Sequence, residues 1–174
     1  KLEMIKAQQE GQLNYLQTLS HRINKLKSNV YFYSLEKTDD INLCLCQLVK
    51  KLYKENKNII IIDNNDRLTD IDKLLWSFEQ NSFLPHKIIV EDENIDSPIL
   101  LLSCKNINKL DIFKNYSEII NNSELPLIEY KTYINIHEFV SDNEEHKKIC
   151  RVKYSKYMNN NFDVIHKRYN EQAI

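Results

Sequence analysis

Four residues near the C-terminal end, Lys147, Arg151, Tyr154 and Met158, stand at i, i+4, i+7 and i+11. On a helix this spacing gathers them into one stripe within about 60° of arc. A charge run on a helix is most often a solvated face. Two cations beside an aromatic ring and a thioether make a different surface, an apolar notch with positive walls. Arginine can grip a carboxylate with two parallel hydrogen bonds. The stripe therefore suits an acidic peptide that ends in an apolar side chain and a free carboxylate. Ile149, Cys150, Val152 and Tyr157 are the inward candidates of the same helix, interrupted by Lys153 and Lys156.

A second stretch, Leu-Leu-Trp-Ser-Phe-Glu-Gln-Asn-Ser-Phe-Leu-Pro-His at 74–86, contains the only tryptophan of the chain. Leu68, Ile71, Leu75 and Phe78 recur at i, i+3, i+7 and i+10, with Leu74 beside them, and form one apolar face. Trp76 lies about 140° from the middle of that face, on the side of Thr69, Asp72 and Lys73. Either Trp76 folds back over the loop that must precede Pro85, or it is an exposed anchor for another protein. With residues 79–84 as a loop beside Trp76, the expectation is that Trp76, Phe83, Leu84 and His86 make one surface patch.

Catalytic and metal chemistry finds less support. Asp63 follows the run Ile59–Ile62, where nucleotide hydrolases place a metal-binding carboxylate. An aspartate there more often opens a loop or caps a helix. Asp66, Asp70 and Asp72 read as a solvated helix start. The single glycine, Gly11, lies outside the core, so neither a P-loop nor a dinucleotide fingerprint can be written. His21, His86, His137, His146 and His166 show no metal-ligand spacing and read as surface residues. Cys44 and Cys46 form a C-x-C pair, with Cys104 and Cys150 alone, a pattern that reads as reduced thiols rather than zinc or disulfides. No cofactor is expected.

Composition sets further limits. The chain has 174 residues, 42% hydrophobic and 10% aromatic, enough for one domain with a core. A net charge of −1 argues against a broad nucleic-acid or membrane-binding surface. No apolar run approaches the ~20 residues of a membrane span, and no leader opens the chain, so the expectation is a cytoplasmic protein.

The elements that must position these residues alternate between strand and helix. Residues 1–28 read as a helical extension, with Leu16, Leu19, Ile23 and Leu26 in helical spacing. Strands are expected at 29–35, 58–63, 87–90, 99–103 and 116–122. Helices are expected over about 41–52 behind a Thr38-Asp39-Asp40 cap, over about 67–79, and from Ser141-Asp142 to Met158. Asp142 and Glu145 have capping-box spacing. Residues 128–140 are mixed, Asn159–Asn161 read as a helix stop, and 162–167 as a short last strand. Asn-rich turns stand in for glycine-rich ones. The fold class is α/β, a mainly parallel sheet flanked by helices, with residues 29–174 forming a single domain.

Two blocks resemble a known family, the chi subunit of bacterial DNA polymerase III, an accessory of the clamp loader. One is the 74–86 stretch, similar to the family's Leu-Trp…Ser-Phe-x-Pro-His segment. The other is 137–162, similar to the family's C-terminal strand and helix with its Arg and Tyr-x-x-Tyr. The resemblance covers roughly 29–166. It implies a mononucleotide-binding-like fold without a nucleotide site, and two protein-binding surfaces. One, at the positions of Trp76 and Phe83, accepts a psi subunit or a helicase-like protein competing for the same place. The other, at Val140, Lys147, Arg151 and Tyr154, accepts the acidic C-terminal tail of single-stranded-DNA-binding protein. Where the family often carries a basic residue after the tyrosine, this chain has Ser155, leaving Lys153 and Lys156 to supply charge. Residues 1–28 have no counterpart.

The expected function is a non-catalytic adaptor that joins the clamp loader to single-stranded-DNA-binding protein and meets DNA only indirectly. The alternative is a metal-dependent hydrolase or nuclease-like enzyme centred on Asp63.

Overall fold

The structure, a computed structural model, describes residues 11–15, 28–79, 83–90, 96–129 and 134–169. Of the expected N-terminal helix, 11–15 are helical and exposed, Ser28 is not helical, and 1–10 and 16–27 lie outside the described residues. From residue 28 the order is β1 (Asn29–Ser34), α1 (Ile41–Lys54), β2 (Ile59–Asp63), α2 (Asn65–Ser77), β3 (His86–Ile89) and β4 (Ile99–Ser103). A 3₁₀ segment (Cys104–Ile112), β5 (Glu118–Asn121), β6 (Asn135–Val140), α3 (Glu144–Asn159) and β7 (Asp163–Arg168) follow. The seven strands form one sheet in the order β3-β4-β2-β5-β6-β1-β7. Every pairing is parallel, so the sheet is wholly rather than mainly parallel among the described residues.

Parallel sheets carry helices on both faces, and their central strands read as unbroken apolar runs. Ile59–Ile62 and Ile99–Leu102 are such runs, all essentially inaccessible. One face packs Ile59, Ile61, Ile99 and Leu101 against Leu45, Leu48 and Val49 of α1 and Leu68, Ile71 and Leu75 of α2. The other packs Val30, Phe32, Ile60, Ile62 and Ile136 against Cys150 and Tyr157 of α3 and the 3₁₀ segment's Leu110. The 3₁₀ segment has no counterpart in the expected elements.

The helix ends follow local chemistry. The Asp40 side chain accepts the N–H groups of Asn42 at 2.8 Å and Leu43 at 3.3 Å. The α3 cap is Asn143, not the Ser141-Asp142 start expected. Its Oδ1 accepts from Glu145 N at 2.9 Å and His146 N at 3.1 Å, two N–H groups that the helix itself leaves unbonded. After α1, Asn56 has φ 58°, and after α3, Asn161 has φ 62°. Asparagine tolerates this left-handed backbone better than most residues, so these turns form without glycine.

The interior of α3 departs from expectation in two places. Val152 points outward and is 54% exposed. Lys153 points inward, pairs with Glu138 and donates to Ser123 O at 2.8 Å. Glu138 also accepts from the Tyr157 hydroxyl at 2.7 Å and from Asn121 Nδ2 at 2.8 Å. Burial pushes the Glu138 carboxyl up, against the pull of Lys153 and these donors. This buried network pins α3 to β5 and β6.

Candidate functional site: a cleft between the last helix and the last strands

The cleft lies where α3 crosses the carboxyl ends of β6, β1 and β7. Val140 ends β6 in register with Ser34 of β1, which is in register with Arg168 of β7. A cavity of about 430 Å³ opens here. Phe32, Val140, Cys150 and Tyr154 supply its apolar lining, and Ser34, Lys147, Arg151, Ser155 and His166 its polar groups. The four positions expected from the sequence therefore meet in one place. Met158 continues the helix stripe but is not part of the lining.

Phe32 is buried and Tyr154 half-exposed, with ring centroids 5.5 Å apart at a 59° tilt. This makes the apolar floor continuous from strand to helix. The two cations differ. Lys147 Nζ lies 2.5 Å from Asp142 Oδ1 and 3.1 Å from Glu144 Oε1. Those hydrogen bonds hold the Asp142 carboxyl below the usual carboxylate range and raise the Lys147 ammonium. Arg151 is exposed and makes no ion pair among the described residues. Lys153, being buried, cannot substitute for the basic residue replaced by Ser155; Lys156 is exposed.

Sequence reasoning missed Phe32, Ser34, Cys150 and His166 as lining. Period-two alternation put Phe32 and Ser34 on one face of β1. The register that brings His166 within 2.7 Å of Ser34 Oγ has no signal in a single chain.

The second surface lies at the other end of the sheet. Trp76 is 55% and Phe83 67% exposed. Trp76 sits 5.6 Å from the Phe83 ring and 4.8 Å from the His86 ring. Leu84 does not belong to the surface: it is buried in the core against α1 and α2, because the chain entering β3 turns it inward. The His86 side chain is also covered. Its Nδ1 donates to Leu84 O at 2.6 Å, while Nε2 lies 3.2 Å from Asp72 Oδ1 without hydrogen-bond geometry. Trp76 and Phe83 are thus the exposed members; His86, against the Trp76 ring, is held by the Leu84 carbonyl.

Asp63 is fully buried at the end of β2. Its oxygens accept from Asn64 N at 2.7 Å and Asn122 Nδ2 at 2.6 Å, and Arg67 Nε lies 3.4 Å away. Burial raises its pKa against these partners. Among the described residues no group of three or more His, Cys, Asp or Glu side chains could hold a metal. His137 also departs from the surface reading. It is buried, with Nδ1 3.0 Å from the Tyr33 hydroxyl and Nε2 2.9 Å from Glu118 Oε2.

The sequence model described as DNA polymerase III chi subunit, HolC, matches residues 28–164. The chain belongs to the chi subunit family. The match runs from the residue before β1 into β7 and takes in Trp76, Phe83 and every cleft-lining residue but His166. Membership places the chain among the accessory subunits of DNA polymerase III, proteins of DNA replication. A comparison with curated proteins gave no match. The crystal structure of T4 UvsW is similar with a TM-score of 0.57 at 12% identity, over 84% of this chain. This chi-family chain spans 42% of that one, and the likeness is one of fold. No described helix is long and apolar enough to cross a membrane.

Proposed function

We propose that this chain is a non-catalytic adaptor with two protein-binding surfaces. The cleft takes the acidic C-terminal tail of single-stranded-DNA-binding protein, and the Trp76 surface takes a psi-like subunit of the clamp loader or a helicase-like competitor. The observation that carries the reading is Arg151: a guanidinium with no ion-pair partner among the described residues, at the rim of an apolar cleft floored by Phe32 and Tyr154. Arginine there pairs the terminal carboxylate while the last side chain enters the notch. Residues 29–174 act as the adaptor domain, and 1–28 as an extension beyond it.

The sheet separates the two partners. α2 packs on one face beside the β3 edge, while α3 packs on the other beside β7. Both surfaces can be occupied together, as a bridge requires. Tethering several tails on one single-stranded-DNA-binding assembly raises their effective concentration without new contacts. A net charge of −1 fits indirect contact with DNA. The test is titration of the full chain with a synthetic peptide carrying aspartates upstream of a C-terminal Phe. Saturable binding lost on removal of the Phe supports the reading; equal binding of the truncated peptide overturns it.

A further inference from the structure

Arg151, the cleft cation without an ion pair among the described residues, leaves a question of direction. A tail held by its carboxylate at Arg151 must lead its upstream residues out of the cleft. Over α3 the way passes Lys147, which Asp142 and Glu144 already neutralise. On the other side lies β7, the edge of the sheet, with no strand on its outer side among the described residues.

Hydrogen bonds show what that edge offers. Asp163 N donates to Ser28 O at 3.1 Å and Tyr169 N to Ser34 O at 2.9 Å. In a parallel ladder the N–H and C=O of one residue point to the same neighbour. Residues 163, 165, 167 and 169 therefore face β1, and the backbone groups of Val164, His166 and Arg168 face outward. Side chains alternate in the same period. Val164 packs toward the α3 face and His166 lines the cleft, so Arg168 shares that face. Lys167 lies on the opposite face, its Nζ 4.9 Å from the Tyr31 ring centroid. His166, Lys167 and Arg168 are all exposed.

We propose that the acidic segment of the bound tail leaves the cleft along β7 and adds to the sheet as an eighth strand. Its backbone pairs with the outward groups of Val164, His166 and Arg168, and its carboxylates meet Arg168 on one face and Lys167 on the other. Strand addition supplies affinity through main-chain bonds and specificity through alternate side chains. His166 joins the two parts, since it belongs to both the cleft and the edge. The inference rests on the tail-binding reading above. Lysine and arginine on an edge strand also keep like chains from pairing, which is the role left if the proposal fails.

The test uses the full chain and the same aspartate-Phe peptide, methylated at one upstream amide nitrogen at a time. A methyl on an amide that donates to β7 removes that bond, lowering affinity about fivefold or more, whereas methyls on the intervening amides cost less than about twofold. Arg168→Glu should weaken binding by a similar factor. An affinity profile without period two overturns strand addition. If Arg151→Ala still weakens binding about fivefold or more, the cleft reading stands alone. Failure of the wild-type chain to bind the unmethylated peptide overturns both.

Discussion

Lys153 of α3 and Glu138 of β6 form a buried ion pair beneath the surface that carries Tyr154. Adjacent residues of one helix thus serve opposite ends: Lys153 anchors the helix, and Tyr154 presents its ring to the cleft. Removing one partner of a buried pair strands the other charge and costs about 3–5 kcal/mol. Lys153→Ala should lower unfolding stability by that order in a urea titration. Peptide affinity per folded molecule should stay the same, because the ammonium is inaccessible. Lys156→Ala, at an exposed site, should change stability by less than about 0.5 kcal/mol.

Trp76 and Leu84 make a second contrast. Trp76→Ala removes an exposed ring and should leave stability within about 1 kcal/mol, while weakening a psi-like partner by more than about 1 kcal/mol, as an anchor does. Leu84→Ala opens a core cavity and should cost about 2–5 kcal/mol of stability. Calorimetric binding beside thermal unfolding separates the two. Loss of stability in the Trp76 variant with intact binding would assign the ring to packing.

The strands and helices were legible because continuous apolar runs and a 3.6-residue period leave strong marks. The outward aim of Trp76 followed from the same period. Leu84 was misplaced because it sits in a loop, where no period constrains the side chain. Lys153 and His137 were misread for another reason. A lysine or histidine is outward by default, and what reverses this is a partner on a different strand: Glu138 for one, Tyr33 and Glu118 for the other. Such pairings arise only from register. The cleft shows both cases: its helix stripe was readable, while Phe32 and His166 entered through strand order.

Acid should loosen the α3 start. His146 Nδ1 lies 2.9 Å from Ser141 Oγ, and burial, with Lys153 and Arg67 nearby, lowers its pKa from the ordinary 6.5. A histidine depressed in the folded state binds protons more readily when unfolded. Its contribution is therefore present above pH 6.5 and is lost as pH falls through the lower folded value. Urea midpoints should decline from pH 7.5 to below about 6, and His146→Gln should flatten that decline. An unchanged slope in the variant would assign the effect to other histidines.

Arg151 should dominate tail recognition, and Lys147 should contribute less. Charge alone would make them equal, but their surroundings differ. Arg151 has no ion-pair partner among the described residues, whereas Lys147 is held by Asp142 and Glu144 and must release them to meet a new carboxylate. Arg151→Ala should cost about 1–3 kcal/mol of peptide affinity, the range of a hydrogen bond to a charged group. Arg151→Lys should recover only part of it, since an ammonium cannot reproduce the two-bond fork. Lys147→Ala should cost less than Arg151→Ala, with an effect that shrinks as salt is raised from 0.05 to about 0.5 M, because exposed charges are screened. The Arg151 effect should persist at high salt, where its close contact with the carboxylate is screened least. The measurement is fluorescence anisotropy with a labelled peptide across the salt series for wild type and the three variants. Full recovery by Arg151→Lys would reduce the site to a point charge and remove the argument for a shaped carboxylate grip.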